Sequence, residues 1–83
     1  MDRITITDHA LERFQQRFGV KCSREGLASV LWSYPIVRLG VEMAEKKPIE
    51  DRFTEWRAKI RNENIQAVFR RNAVVTVYPI RGQ

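Results

Sequence analysis

His9, Arg13 and Arg17 recur at i, i+4 and i+8, which on an α-helix places them on a single stripe. His9 would lie in the first turn of that helix. There the positive end of the helix dipole disfavours imidazolium and favours the neutral ring that can accept a proton. Arg13 and Arg17, one and two turns further along, can bind a phosphate and its neighbour. A polar helix edge making local hydrogen bonds would have the same spacing. Near the other end of the chain, Val74-Val75-Thr76-Val77-Tyr78 has the alternation of a strand. Val75 and Val77 then form an all-valine core face. Val74, Thr76 and Tyr78 fall on the other face, where Thr76 and Tyr78 can supply hydroxyls to a phosphate or a proton to a leaving group. Residues chosen for β-propensity alone would fit that pattern as well.

Other catalytic arrangements find little support. The chain has 1 His and 1 Cys, too few for a zinc site, and no HExxH or cysteine pair. Glu45-Lys46-Lys47 contains the carboxylate-x-lysine triplet of metal-dependent nucleases, but it falls in a predicted loop without a placed partner. There is no glycine-rich phosphate loop, and Ser/His/Asp chemistry has no spacing signal. Phosphodiester chemistry on RNA without metal or cofactor remains. The 2′-hydroxyl is its own nucleophile, so an enzyme need only move protons and neutralise the phosphorane.

The charge pattern points the same way. Of the net +5, residues 1–55 contribute nothing, with nine Lys/Arg against nine Asp/Glu. The remainder carries Arg57, Lys59, Arg61, Arg70, Arg71 and Arg81 against Glu63 alone. Arginine outnumbers lysine eleven to four, and guanidinium suits bidentate phosphate contact. These six cations, with Arg17, are the candidate nucleic-acid ligands. A merely solvated basic face is the plainer alternative.

The elements that must position these groups follow from capping and periodicity. Ile4 and Ile6 alternate with polar neighbours as a short first strand. Thr7 reads as an N-cap, with Ile6 and Leu11 as a hydrophobic staple, and the first helix runs to Phe18 and stops at Gly19. Ser23 caps a second helix, with Leu27, Val30, Leu31 and Tyr34 at helical spacing, and Pro35 ends it. Ile36 to Val41 reads as a strand and Glu42 to Asp51 as a loop. Phe53–Ile60, Ile65–Arg70 and Val74–Pro79 form an antiparallel meander, separated by turns at Asn62-Glu63-Asn64 and Arg71-Asn72. Trp32 and Trp56 fill the core beneath it. The expected fold is α+β: a short N-terminal strand and two helices packed on a C-terminal antiparallel sheet of three to four strands, as one domain over residues 1–83.

Ile4-x-Ile6-x-x-His9-Ala10-x-x-Arg13-Phe14-x-x-Arg17, together with the Val74–Pro79 segment, resembles small toxin-like and phage-encoded families of the barnase, EndoU, colicin and RelE type of ribonuclease fold. The resemblance covers about a quarter of the chain. It implies helices followed by a curved antiparallel sheet, and metal-independent cleavage of tRNA or mRNA. His9, Arg13, Thr76 and Tyr78 would be its catalytic residues, with Arg17 on phosphate. The chain departs from the RelE-like pattern in having no lysine near its C-terminus, which leaves Arg70, Arg71 and Arg81 as the cations there. The resemblance also implies an acidic antitoxin as a partner.

Three functions therefore stand as expectations. They are a metal-independent ribonuclease, a non-catalytic nucleic-acid-binding protein, and a phage-type inhibitor whose basic face docks on an acidic protein. Met1 to Thr5 lacks the apolar stretch of a signal peptide, no run approaches a membrane span, and the lone Cys22 suits a reducing cytoplasm.

Overall fold

The chain begins with a two-residue strand, β1 (Thr5–Ile6), that leads through Thr7 into α1 (Asp8–Phe18). The computed structural model describes residues 3–47 and 55–80. Thr7 has extended backbone, and its Oγ1 accepts the Ala10 N–H at 3.1 Å while donating to the Val74 carbonyl at 2.9 Å. One hydroxyl thus caps the helix and fastens its start to the sheet. Asp8 in the first turn pairs with Arg24. Gly19 ends the helix at φ 65, with its N–H on the Gln15 carbonyl, a conformation costly for a residue with a Cβ. Ile6 is buried and Leu11 packs on the same core cluster, as a staple requires.

Ser23 caps α2 (Arg24–Trp32), its Oγ accepting the Gly26 N–H at 2.9 Å. The middle of the chain departs from its sequence reading. α2 stops at Trp32, and Pro35 does not terminate a helix but opens a third, α3 (Pro35–Glu45). Proline is well suited to the first helical position, where the missing N–H has no intrahelical acceptor. Residues 36–41 are therefore helix rather than strand, and the loop expected from Glu42 begins only after Glu45. The part of that loop from 48 onward lies outside the described residues. Val37, Val41 and Ala44 supply the buried face. Gly40 is required by its neighbour, because a Cβ there would overlap the ring carbons of Trp56.

The meander follows as β2 (Glu55–Ile60), β3 (Ile65–Arg70) and β4 (Ala73–Pro79), with a 3₁₀ turn at Arg61–Glu63 between the first two. Phe53, where the first of these strands was expected to start, lies outside the described residues. Asn64 and Arg71 take positive φ at the two turns. The sheet order is β1-β4-β3-β2, antiparallel except that β1 runs parallel to β4. The chain is α+β, with three α-helices rather than two among the described residues. The core is formed by Ile4, Ile6, Ala10, Leu27, Leu31, Val37 and Val41 against Ala58, Ile60, Ile65, Ala67, Phe69, Val74 and Val77. Trp32 and Trp56 pack at its margin, Trp56 lying flat on Phe69 with ring centroids 4.0 Å apart.

β4 corrects a second reading. Its register against β3 shifts between Val68 and Phe69, which pair with Thr76 and Val74 and leave Val75 unpaired. This bulge resets the alternation. Of the β4 valines, Val74 and Val77 are fully buried and Val75 is only partly covered.

Candidate nucleic-acid interface

Registers within the meander determine which side chains share a face, because directly paired residues point the same way. Trp56 pairs with Phe69, Ala58 with Ala67 and then Val77, and Ile60 with Ile65, forming the core face under the helices. The opposite face carries Arg57, Val68 and Thr76 in one row and Lys59, Gln66 and Tyr78 in the next. A third row holds Glu55, Arg70 and Ala73. Arg57, Lys59 and Arg70 are exposed there, while Gln66, Thr76 and Tyr78 are half-buried and Val68 is buried at the centre. Glu55 is the carboxylate of this face among the described residues, 3.9 Å from Arg57. Strand alternation groups Val74, Thr76 and Tyr78; Thr76 and Tyr78 remain together because both follow the bulge, whereas Val74, which precedes it, turns into the core.

The His9 stripe lies along the margin of that face. β1 pairs only with Ala73 and Val74, so beyond Val74 the edge of β4 is taken by α1. Thr7 fastens one end of α1 at Val74, and Arg17 fastens the other by donating from Nη1 to the Val77 carbonyl at 3.0 Å. The Arg17 guanidinium carbon lies 5.7 Å from the Tyr78 ring centroid, within cation–π range. Arg17 keeps donors beyond the one used by Val77. It therefore joins the helix stripe to the sheet face.

His9 is exposed, and Arg13 Nε donates to its Nε2 at 3.4 Å. Arg13 also reaches Gln16 Oε1 at 3.4 Å. The His9 contact thus lies along its own helix and does not link it to Thr76 or Arg70. Arg61 is exposed on the 3₁₀ turn at one end of the β2–β3 hairpin. Arg71 is turned elsewhere: its Nη1 donates to the Ala44 carbonyl at 3.3 Å and its Nη2 to that of Lys47 at 3.5 Å. It closes the C-terminus of α3, and its own carbonyl accepts the Trp56 indole N–H at 2.8 Å. Arg81 lies outside the described residues. The structure thus gathers Arg17, Arg57, Lys59, Arg70, Thr76 and Tyr78 on one face and its margin, with Arg71 apart.

Gln66 was not singled out from the sequence. Its place between Lys59 and Tyr78 was readable, because counting back from the Asn62-Glu63-Asn64 turn fixes the β2–β3 register. Tyr34 was likewise assigned only to helical spacing. Its phenol is held above the ordinary tyrosine range, first by desolvation and then by the charge and hydrogen bond of Glu63. Among the described residues no three His, Cys, Asp or Glu side chains are grouped to hold a metal ion, and no helix is long and apolar enough to cross a membrane.

The chain matches no protein-family model, no curated protein and no solved structure. Its α+β architecture is compatible in outline with the barnase and RelE type of fold.

Proposed function

We propose that the protein binds RNA through the outer face of its sheet. One observation carries this reading: Arg57, Lys59 and Arg70 stand exposed on a face whose other polar members, Gln66, Thr76 and Tyr78, can all hydrogen-bond. The helices α2 and α3 occupy the other side. Cations beside an aromatic ring and an amide suit unpaired nucleotides, whose phosphates need charge and whose bases need a stacking surface and donors. Tyr78, with Arg17 over its ring, is the stacking element. Anisotropy titration with a fluorescent oligoribonucleotide tests the reading. Arg57→Ala with Lys59→Ala weakens binding about tenfold or more, and unchanged affinity would refute it.

A second reading, metal-independent cleavage of that RNA, is favoured by Arg17, which joins the helix stripe of His9 and Arg13 to the sheet face that carries Thr76 and Tyr78. In this scheme His9 takes the proton of a 2′-hydroxyl, whose oxygen attacks the adjacent phosphorus. The P–O5′ bond breaks, and the departing 5′-oxygen takes a proton from Tyr78. Arg13 and Arg17 neutralise the phosphorane, and the Thr76 hydroxyl donates to a non-bridging oxygen. The products are a 2′,3′-cyclic phosphate and a 5′-hydroxyl. Membership in the toxin-like ribonuclease families belongs to this proposal, as does an acidic antitoxin. Cleavage then survives EDTA and is lost in His9→Ala. If tRNA and mRNA stay intact with ribosomes present or absent, cleavage is ruled out and binding stands alone.

A further inference from the structure

β2 is the last strand in the sheet order, so among the described residues one of its edges has no strand partner. α3 runs antiparallel beside it. At one end Tyr34, Pro35 and Ile36 adjoin Lys59, Ile60, Arg61 and Asn62 across a depression. At the other, Gly40, Met43, Ala44 and Lys47 adjoin Glu55 and Trp56 across a second. Between them α3 exposes Ile36, Leu39 and Met43, at 47%, 57% and 59%. Their i, i+3, i+7 spacing makes a continuous apolar stripe, although α3 already commits Val37, Val41 and Ala44 to the core. An apolar stripe beside an unpaired strand edge is unfavourable in water unless something covers it.

We infer that this groove docks an extended segment of a partner protein, alternating apolar and acidic residues, that adds to β2 as a further strand. The row of backbone donors and acceptors on β2 matches another polypeptide. Aliphatic side chains on the floor accept every second residue of such a strand, because successive side chains point to opposite faces. Nucleic acid fits less well, since the two rings at the groove are committed: Trp56 lies flat between Phe69 and Gly40, and Tyr34 stands beside the Glu63 carboxylate, which repels phosphate. Charge selects the occupant. Lys47 stands at one end and Lys59 and Arg61 at the other, and Glu55 already faces Arg57. A second copy would bring this cationic rim against itself, whereas carboxylates would neutralise it. The site shares Lys59 with the outer sheet face of the RNA reading but otherwise lies on the α3 side of β2, so shifts at Arg70, Thr76 and Tyr78 distinguish the two.

Two synthetic peptides test the inference, one alternating leucine with glutamate and its counterpart with lysine in place of glutamate. Amide chemical shifts of the full chain provide the readout. The acidic peptide is expected to move resonances of residues 55–60 and of α3. Leu39→Glu and Met43→Glu, both at exposed positions and checked for retained fold by circular dichroism, each weaken it about tenfold or more. The lysine peptide does not bind. The inference is overturned if the acidic peptide fails to bind, if it shifts Arg70, Thr76 and Tyr78 instead, or if the lysine peptide binds as well. It is equally overturned if Leu39→Glu leaves affinity unchanged, or if the free chain forms a dimer that Leu39→Glu dissolves.

Discussion

Arg17 does two jobs that a point charge could not combine. One of its N–H groups satisfies the Val77 carbonyl where β1 has ended, while the guanidinium plane lies over Tyr78. Its helical stripe was legible in the spacing of His9, Arg13 and Arg17, as were the caps at Thr7, Ser23 and Gly19, because each depends on neighbours within four residues. Arg71 was not legible in this way. Its acceptors, Ala44 and Lys47, lie more than twenty residues away, so charge alone grouped it with Arg70. Tyr34 shows the same limit, since its partner Glu63 belongs to a distant turn. This contact yields a prediction at the residue scale. In a Tyr78→Phe background, which leaves Tyr34 as the reporting phenol, Glu63→Gln lowers the Tyr34 pKa when followed by phenolate absorbance. Desolvation, the larger cause, keeps it above the ordinary value of about 10. Because folding raises this pKa, the associated stabilisation is present at neutral pH and is lost as pH rises through the raised value. An unchanged titration in the variant would remove Glu63 from the account.

Among the elements, α3 was the one misread, for identifiable reasons. Ile36, Val37 and Val41 are β-branched, Gly40 is a poor helix former, and Pro35 resembles a stop. The i, i+4, i+7 spacing of Val37, Val41 and Ala44 was the available helical signal, and proline at the first helical position agrees with it. Gly40 makes sense only once Trp56 lies against it, a tertiary fact no local pattern contains. Gly40→Ala therefore behaves contrary to helix propensity. It would gain about 1 kcal/mol on an open helix face, but overpacking against a ring held by Phe69 and the Arg71 carbonyl costs about 3 kcal/mol. Thermal denaturation should show a less stable protein. In a Trp56→Leu background the same alanine should stabilise it, and a loss of the same size in both backgrounds would rule out the packing explanation. The bulge at Val75 was equally hidden. Period-two alternation assigned Val75 to the core, and the register shift gave that place to Val74.

Across the whole molecule, the charge asymmetry of the sequence becomes a division of surfaces. The first two thirds of the chain, neutral overall, supply the helices, and the basic last third supplies a sheet whose outer face collects Arg57, Lys59 and Arg70. Composition alone indicated that the cations cluster in sequence. Strand pairing decided which of them share a face, and set Arg71 apart from the others. If this face binds RNA through its phosphates, the affinity must fall as salt rises. Three cations released from counterions on single-stranded RNA give a log–log slope of about −2, rising toward −3 if Arg17 takes part. Replacing Arg57, Lys59 and Arg70 together by glutamine should abolish most of that slope and most of the affinity. An affinity that ignores ionic strength, or a triple variant that binds as the parent does, would contradict the account.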